Sequence, residues 1–143
     1  MNIHKILNEI RSGFKKGVAI SLKIVAYTFP LYILVDILNQ LGIIAKVGKL
    51  FSPFMRLIGL PGNASIVLIS GFLLNLYAAI AAMVPLNLTV KQITIIGLIL
   101  GISHNLFIET AVLSRVGAKG YIIVLTRLLT AFFAGGMLNL LWR

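Results

Sequence analysis

Long apolar segments separated by short polar ones dominate the hydropathy pattern of this chain. A bilayer-spanning helix needs about 20 mainly apolar residues, and four segments meet that length: residues 18–40, 64–86, 92–113 and 120–142. Two further segments, residues 1–16 and 41–60, are amphipathic. The pattern therefore predicts an all-α integral membrane protein, a single membrane domain over residues 1–143 with four transmembrane helices and two interfacial ones.

The two amphipathic segments are predicted to lie at the membrane surface. In the first, five apolar positions recur at helical spacing and form one narrow stripe: Ile3, Ile6, Leu7, Ile10 and Phe14. In the second, Lys46, Lys49 and Arg56 share one helix face. Because a span with three cations would cost several kcal/mol, we expect an interfacial helix there, broken at Pro53.

Composition agrees with a bilayer as the solvent. The chain is 59% hydrophobic and 11% charged, with a mean hydropathy of +1.05, and a soluble domain of this size has too little interior to bury so much apolar surface. The absence of cysteine excludes disulfides, thiolate metal sites and cysteine nucleophiles. The formal net charge is +10, and the cations are scattered singly between the apolar segments. This distribution favours anionic lipid over nucleic acid as the partner.

Membrane orientation is weakly encoded by the charges. With the N-terminus inside, six cations fall on the inner side and five on the outer side, almost no positive-inside bias. The cationic N-terminal tail favours a multi-pass protein of the cell membrane with its N-terminus inside. A dual-topology protein would show the same balance.

Two stretches thirty residues apart share Gly, Asn, Leu and an aromatic residue at the same offsets. They read Gly71-Phe-Leu-Leu-Asn75-Leu-Tyr77 and Gly101-Ile-Ser-His-Asn105-Leu-Phe107. Consecutive crossings run antiparallel, so the pattern indicates an inverted repeat around Asn75 and Asn105 with a site near the bilayer midplane. Chance similarity between two hydrophobic helices is the alternative.

Polar residues inside the predicted spans are the candidate site, because each is costly in hydrocarbon. The predicted substrate-binding set is Asn75, Ser103, His104, Asn105, Glu109 and Thr110. These side chains either line a cavity for a small polar solute or hold helices together, with Glu109 neutralised by Arg115 or Arg127.

Metal, cofactor and enzyme chemistry are not predicted. His104 and Glu109 lie roughly 140° apart around a continuous helix, so they are poor co-ligands unless the helix breaks there. No Ser/His/Asp arrangement, Walker loop, dinucleotide glycine motif or HExxH occurs in the sequence.

Small residues mark two predicted close-contact faces. These are Gly97-x-x-x-Gly101 and Ala131-x-x-x-Gly135, spacings that let helix backbones approach closely. We expect at least one of them to lie between protomers.

Residues Pro30 to Met83 carry a family resemblance. The run from Leu50 that ends Gly59-Leu60-Pro61-Gly62, followed by Ser70-Gly71-Phe72, resembles the nucleoside-recognition, or Gate, domain family. The stretch from Gly101 to Gly117 looks like the polar segment that follows in small, spore-maturation-like members.

The resemblance implies a polytopic transport or gating module. The domain recurs in ferrous-iron permeases and concentrative nucleoside transporters, but this chain lacks the cysteine that the iron permeases use. It amounts to about half a typical carrier, so a homo-oligomer or a related small membrane subunit would complete it. The alternative function is a structural or accessory membrane subunit that transports nothing itself.

Overall fold

Residues 3–142 fold into seven α-helices and one 3₁₀ turn. The computed structural model describes residues 3–142, and its elements are α1 (Ile3–Gln40), α2 (Ile43–Leu57), the 3₁₀ turn Gly62–Ala64, α3 (Ser65–Leu73), α4 (Leu76–Met83), α5 (Val90–Ser103), α6 (Leu106–Arg115) and α7 (Gly120–Leu141). The described part of the chain contains no strand. The predicted all-α class is therefore confirmed.

Two stretches are long and apolar enough to cross a membrane within residues 3–142. They are Val90–Arg115, formed by α5 and α6, and Gly120–Leu141. A third is counted if Ile43–Leu57 and Gly62–Leu73, which meet at a bend of 97°, form one span. The predicted count of four spans is not confirmed.

Helix α1 joins two segments that the sequence analysis separates. The predicted interfacial helix 1–16 and the predicted span 18–40 form one helix that also continues through Pro30; Met1 and Asn2 lie outside the described residues. The C-terminal part of α1 anchors it, with Val35 buried at 3% exposure. Almost all described side chains between Leu7 and Leu34 are exposed.

Helix α2 is intact where the sequence predicted a break. It runs through Pro53, which lies on the exposed side, so the carbonyl that loses its N–H partner is not trapped in the core. The helix ends at Leu57, and Gly59, just beyond the C-cap residue Ile58, adopts the left-handed conformation (φ +74°). The N–H groups of Gly59 and Leu60 donate to the carbonyls of Arg56 and Met55, a Schellman end that needs the left-handed glycine.

The predicted span 64–86 is a helical hairpin rather than one straight helix. Helix α3 has nine residues and α4 has eight, and they pack against each other. A Cβ atom at Gly71 would lie 3.3 Å from that of Ala79, so the chain reverses at residues 74–75. Each arm is about 12–14 Å long at 1.5 Å per residue, too short to cross a bilayer.

Helix α5 lies at the centre of the bundle and packs mainly against α7 and α3. Ile95 and Ile99 are fully buried, and a Cβ at Gly135 would come within 2.7 Å of Ile99. The Ala131–Gly135 face is therefore used inside this chain, not between protomers. Gly97 and Gly101 face open space.

The start of α5 and the end of α7 are tied together. Thr89 and Gln92 form a capping box at the start of α5. The Lys91 ammonium donates to the carbonyls of Asn139 (3.1 Å) and Trp142 (2.8 Å). The cation thus satisfies carbonyls at the negative end of α7, and the two helices run antiparallel.

Candidate functional site

Both copies of the repeated motif coincide with breaks in the helices. Helix α4 begins after Asn75 and α6 begins after Asn105. The backbone N–H of Asn105 donates to the carbonyl of Gly71 at 3.0 Å. Two motifs thirty residues apart in sequence are therefore joined in space, at the middle of the candidate span Val90–Arg115.

The first break is closed by Asn75 and Gly71. Asn75 has an extended backbone, and its Oδ1 accepts the N–H of Ala78 at 2.9 Å, which makes it the N-cap of α4. A Cβ at Gly71 would collide with Leu100 of α5. Glycine at this position is what lets α3 approach α5 closely enough for the hydrogen bond to Asn105.

The second break depends on Asn105, which adopts the left-handed conformation (φ 51°). Asparagine tolerates this conformation better than most residues with a side chain. Its side chain makes no capping hydrogen bond, and its Oδ1 is buried without a partner within the described chain. A buried amide oxygen in that state has free capacity to accept a hydrogen bond.

Arg127 of α7 closes the broken end of α5. Its Nε donates to the carbonyl of Ile102 (2.9 Å), Nη2 to that of His104 (3.1 Å), and Nη1 to Oε2 of Glu109 (2.5 Å). Its side chain is 19% exposed. One guanidinium therefore satisfies two carbonyls that the break leaves without helical partners and neutralises the carboxylate in the first turn of α6.

The break also brings His104 and Glu109 together. His104 Nδ1 lies 2.9 Å from the carbonyl of Leu100, which makes Nδ1 the donor and directs Nε2 towards Glu109 Oε1 at 3.6 Å. These side chains remain 32% and 40% exposed. Within residues 3–142 no group of three His, Cys, Asp or Glu side chains is placed to hold a metal ion.

The remaining predicted site residues lie outside this cluster. Ser103 is fully buried and its hydroxyl donates to the carbonyl of Ile99 at 2.7 Å, a bond within its own helix. Thr110 faces a groove between α6 and α7. Arg127 was not in the predicted substrate-binding set, but the sequence analysis named it as a possible partner of Glu109, and the structure contains that ion pair.

The fold and the site define an all-helical membrane protein in which a hairpin and a broken helix meet at a charged cluster. The chain belongs to the Gate family, described as nucleoside recognition, whose family model matches residues 21–139. The predicted family is thus confirmed, and Gate is not an enzyme family.

The chain is similar in sequence to proteins of two organisms. An uncharacterized membrane protein of Bacillus subtilis (strain 168), YvoD, is 38% identical over 114 residues, which is 80% of this chain and 36% of YvoD. The uncharacterized protein MJ0880 of Methanocaldococcus jannaschii is 39% identical over 61 residues, 43% of this chain and 20% of that protein. The chain therefore spans about a third or less of the length of these relatives. No solved structure matches it.

Proposed function

We propose that this protein is a small Gate-type transport or gating module whose two helix breaks form a polar solute site within the bilayer. The observation that carries the proposal is the hydrogen bond from Asn105 N–H to the Gly71 carbonyl, which joins the two breaks. Discontinuous helices that meet inside a membrane present helix ends and unwound backbone to a solute.

The chemistry of the site suits a neutral or weakly charged polar solute. In a state that opens the break to the solute, Asn105 Oδ1 accepts a hydrogen bond from it, which removes the cost of a buried, unpartnered oxygen. The start of α6 offers the positive end of a helix dipole. His104 and Glu109 add a donor or acceptor at the exposed rim. Nucleosides carry donors and acceptors of this kind, and the family's description makes them the first solutes to test.

An oligomer or a related small subunit completes the module. A second copy or a related small subunit packed beside this chain would bring further helices to the two breaks. The protein is multi-pass in the cell membrane, and the cationic N-terminal tail favours an inside N-terminus.

A structural or accessory subunit is the second candidate, and one observation favours it. All three guanidinium nitrogens of Arg127 donate to acceptors of this chain, and the hydroxyl of Ser103 is likewise satisfied within its helix. A scaffold needs polar groups that are mutually satisfied, whereas a carrier needs some that are not.

Flux of radiolabelled uridine and adenosine into proteoliposomes separates the two candidates. Asn105→Gly is the sharpest variant, because glycine keeps the left-handed backbone and removes the side-chain amide. We expect it to lower flux at least tenfold with little change in thermal stability. Asn87→Ala, in an exposed loop, is the control. If the Asn105→Gly variant unfolds, or if its flux equals that of the parent, the result favours the structural or accessory role over transport.

A further inference from the structure

Helix α6 buries little of its surface against the rest of the molecule. Among its described side chains only Leu106 is buried, at 6% exposure. Ile108 and Val112 are 62% and 60% exposed. A groove of 590 Å³ lies between α6, α3 and α7, so the packing around α6 is open. A helix with so few buried apolar contacts can separate from its neighbours at a low cost in free energy.

A residue in the left-handed conformation lies at each end of α6. Asn105 (φ 51°) directly precedes the helix, and Gly117 (φ 91°) follows its C-cap residue Val116. A Cβ atom at Gly117 would meet nothing within 4 Å, so the backbone there has room to rotate. Helices that move as rigid units do so by rotation at a few positions at their ends. Residues 105 and 117 are therefore the places for hinges of α6.

One side chain, Glu109, connects α6 to the charged cluster. Among the described side chains of α6, only that of Glu109 forms salt bridges, to Arg127 and His104. Arg127 reaches Glu109 with Nη1, while its Nε and Nη2 donate to the carbonyls of Ile102 and His104. Two of its three nitrogens therefore hold the end of α5. Arg127 keeps those bonds when Glu109 moves away, so the ion pair can open without releasing α5.

We propose that α6 is the moving helix of the gate and that the ion pair between Glu109 and Arg127 is the latch that holds it closed. The inference rests on the proposed function and deepens it, because it names the element that admits the solute to the break. Alternating access needs two states of the site. Helix α5 is the fixed part, since Ile95 and Ile99 anchor it in the core.

Movement of α6 changes what Asn105 can bind. Asn105 lies at the junction of α5 and α6, and its Oδ1 is buried without a partner within the described chain. The closed state therefore includes the cost of an unmade hydrogen bond. When α6 leaves α7, rotation at Asn105 uncovers this oxygen, and water or the solute becomes its partner. That gain offsets part of the loss of the ion pair between Glu109 and Arg127, which keeps the two states close in free energy.

The test is the distance between spin labels on α6 and α7 in the full-length chain, measured by pulsed electron paramagnetic resonance in liposomes. The labels are attached to Val112→Cys and Leu125→Cys, since both positions are more than half exposed. Excess unlabelled chain ensures that each distance lies within one molecule. We expect two distances, the shorter from the closed state. The control pair on α5 and α7, Leu98→Cys with Leu129→Cys, should show one, because those helices share the buried core.

Glu109→Gln tests the latch in the spin-labelled chain. It replaces a charge-assisted hydrogen bond to Arg127 with a neutral one, so it should raise the ratio of the longer to the shorter distance about fivefold. Arg115→Gln is the matched control, because it removes a charge from the exposed last turn of the same helix; it should leave the ratio unchanged. A single distance in both the parent and Glu109→Gln, or the same change in both variants, overturns the inference.

A disulfide across the second hinge tests the movement independently, even if Glu109→Gln misfolds. A Cβ atom at Gly120 would lie 2.9 Å from Ser114 Oγ, so cysteines at these two positions are close enough to be joined. The bond spans Gly117 and ties α6 to α7. The double variant Ser114→Cys, Gly120→Cys should lose most of its uridine flux when oxidised and regain it on reduction, and the reduced protein is its own control. Equal flux in both forms contradicts the inference.

The outcomes also separate a failure of the moving helix from a failure of the proposed function. A chain that carries uridine while α6 and α7 keep a single distance overturns the movement of α6 alone. Two distances whose ratio depends on Glu109, in a chain that carries no uridine, support the movement and overturn the transport role alone.

Discussion

At the residue scale, Arg127 holds the broken helix together. Helix breaks inside a membrane need partners for the freed backbone groups, because an unsatisfied group in hydrocarbon costs several kcal/mol. The guanidinium has five donors in a planar fork. It serves Ile102, His104 and Glu109 at once, which a lysine ammonium at the same Cα is poorly shaped to do.

Replacing Arg127 should therefore destabilise the fold in a graded way. We expect Arg127→Lys to cost about 1–2 kcal/mol, since it keeps the charge and loses the fork. Arg127→Met should cost about 3 kcal/mol, at the lower end for a broken buried pair, because Glu109 remains 40% exposed. Unfolding in detergent micelles measures both changes.

The control for Arg127 is Arg115→Met, in the last turn of α6, where the side chain is exposed. It should change stability by less than about 0.5 kcal/mol. The Arg127→Met, Glu109→Gln double variant should recover part of the loss. Equal effects of the Arg115 and Arg127 variants would contradict the assignment of Arg127 as the partner of Glu109.

The two equivalent glycines of the repeated motif offer a matched pair of substitutions. A methyl group at Gly71 meets Leu100 and Ala79, whereas one at Gly101 meets nothing within 4 Å. Gly71→Ala should therefore lower stability by about 1–3 kcal/mol through overpacking. Gly101→Ala should be neutral or raise it by up to about 1 kcal/mol. If Gly71→Ala and Gly101→Ala changed the melting temperature by the same amount, this packing would be refuted.

At the element scale, the exposed surface of α2 contains both charged and large apolar side chains. Lys46, Lys49 and Arg56 are all exposed, as the shared face predicts. Leu50 and Phe54 are also exposed, at 73% and 66%. A helix with these two kinds of exposed surface suits a membrane interface, although its placement there stays a prediction.

Single cysteines at positions 46, 49 and 56 test where α2 lies. The chain has no native cysteine, so each variant has one thiol. All three should react with a membrane-impermeant maleimide in membranes opened on both sides, because an interfacial helix turns its cations to water. Ile44→Cys, at 1% exposure, should not react. Protection of all three positions would place α2 inside the bilayer.

Helices were easier to predict from this sequence than their breaks. Apolar periodicity located most helices, but the runs around Asn75 and Asn105 remain apolar and carry no glycine–proline signal for a break. The breaks depend on distant partners, Gly71 for Asn105 and Arg127 for the end of α5, and a single sequence does not reveal those contacts.

The repeated motif coincides with both helix breaks, but from the sequence each copy was placed inside a straight span. In the structure the chain reverses at the first copy, between α3 and α4, and continues through the second, between α5 and α6. The inverted repeat within one chain is therefore not confirmed, and the two copies form different elements.

At the scale of the whole molecule, transport and scaffold roles differ in whether water reaches the two breaks. A solute site must be hydrated in at least one state, whereas a scaffold seals its polar groups against lipid or protein. His104 and Asn75 are suitable reporters. His104 is 32% exposed at its side chain, and Asn75 is also exposed.

The most direct test is the reactivity of single cysteines at these breaks with a charged methanethiosulfonate in intact membrane vesicles. Such reagents modify a thiol only where water reaches it. Asn75→Cys and His104→Cys should react, and a saturating nucleoside should slow the reaction. Leu129→Cys, exposed on α7 two residues from Arg127, should stay unreactive because it faces lipid. If the cysteines at 75 and 104 are as unreactive as the one at 129, the breaks are sealed and there is no solute site.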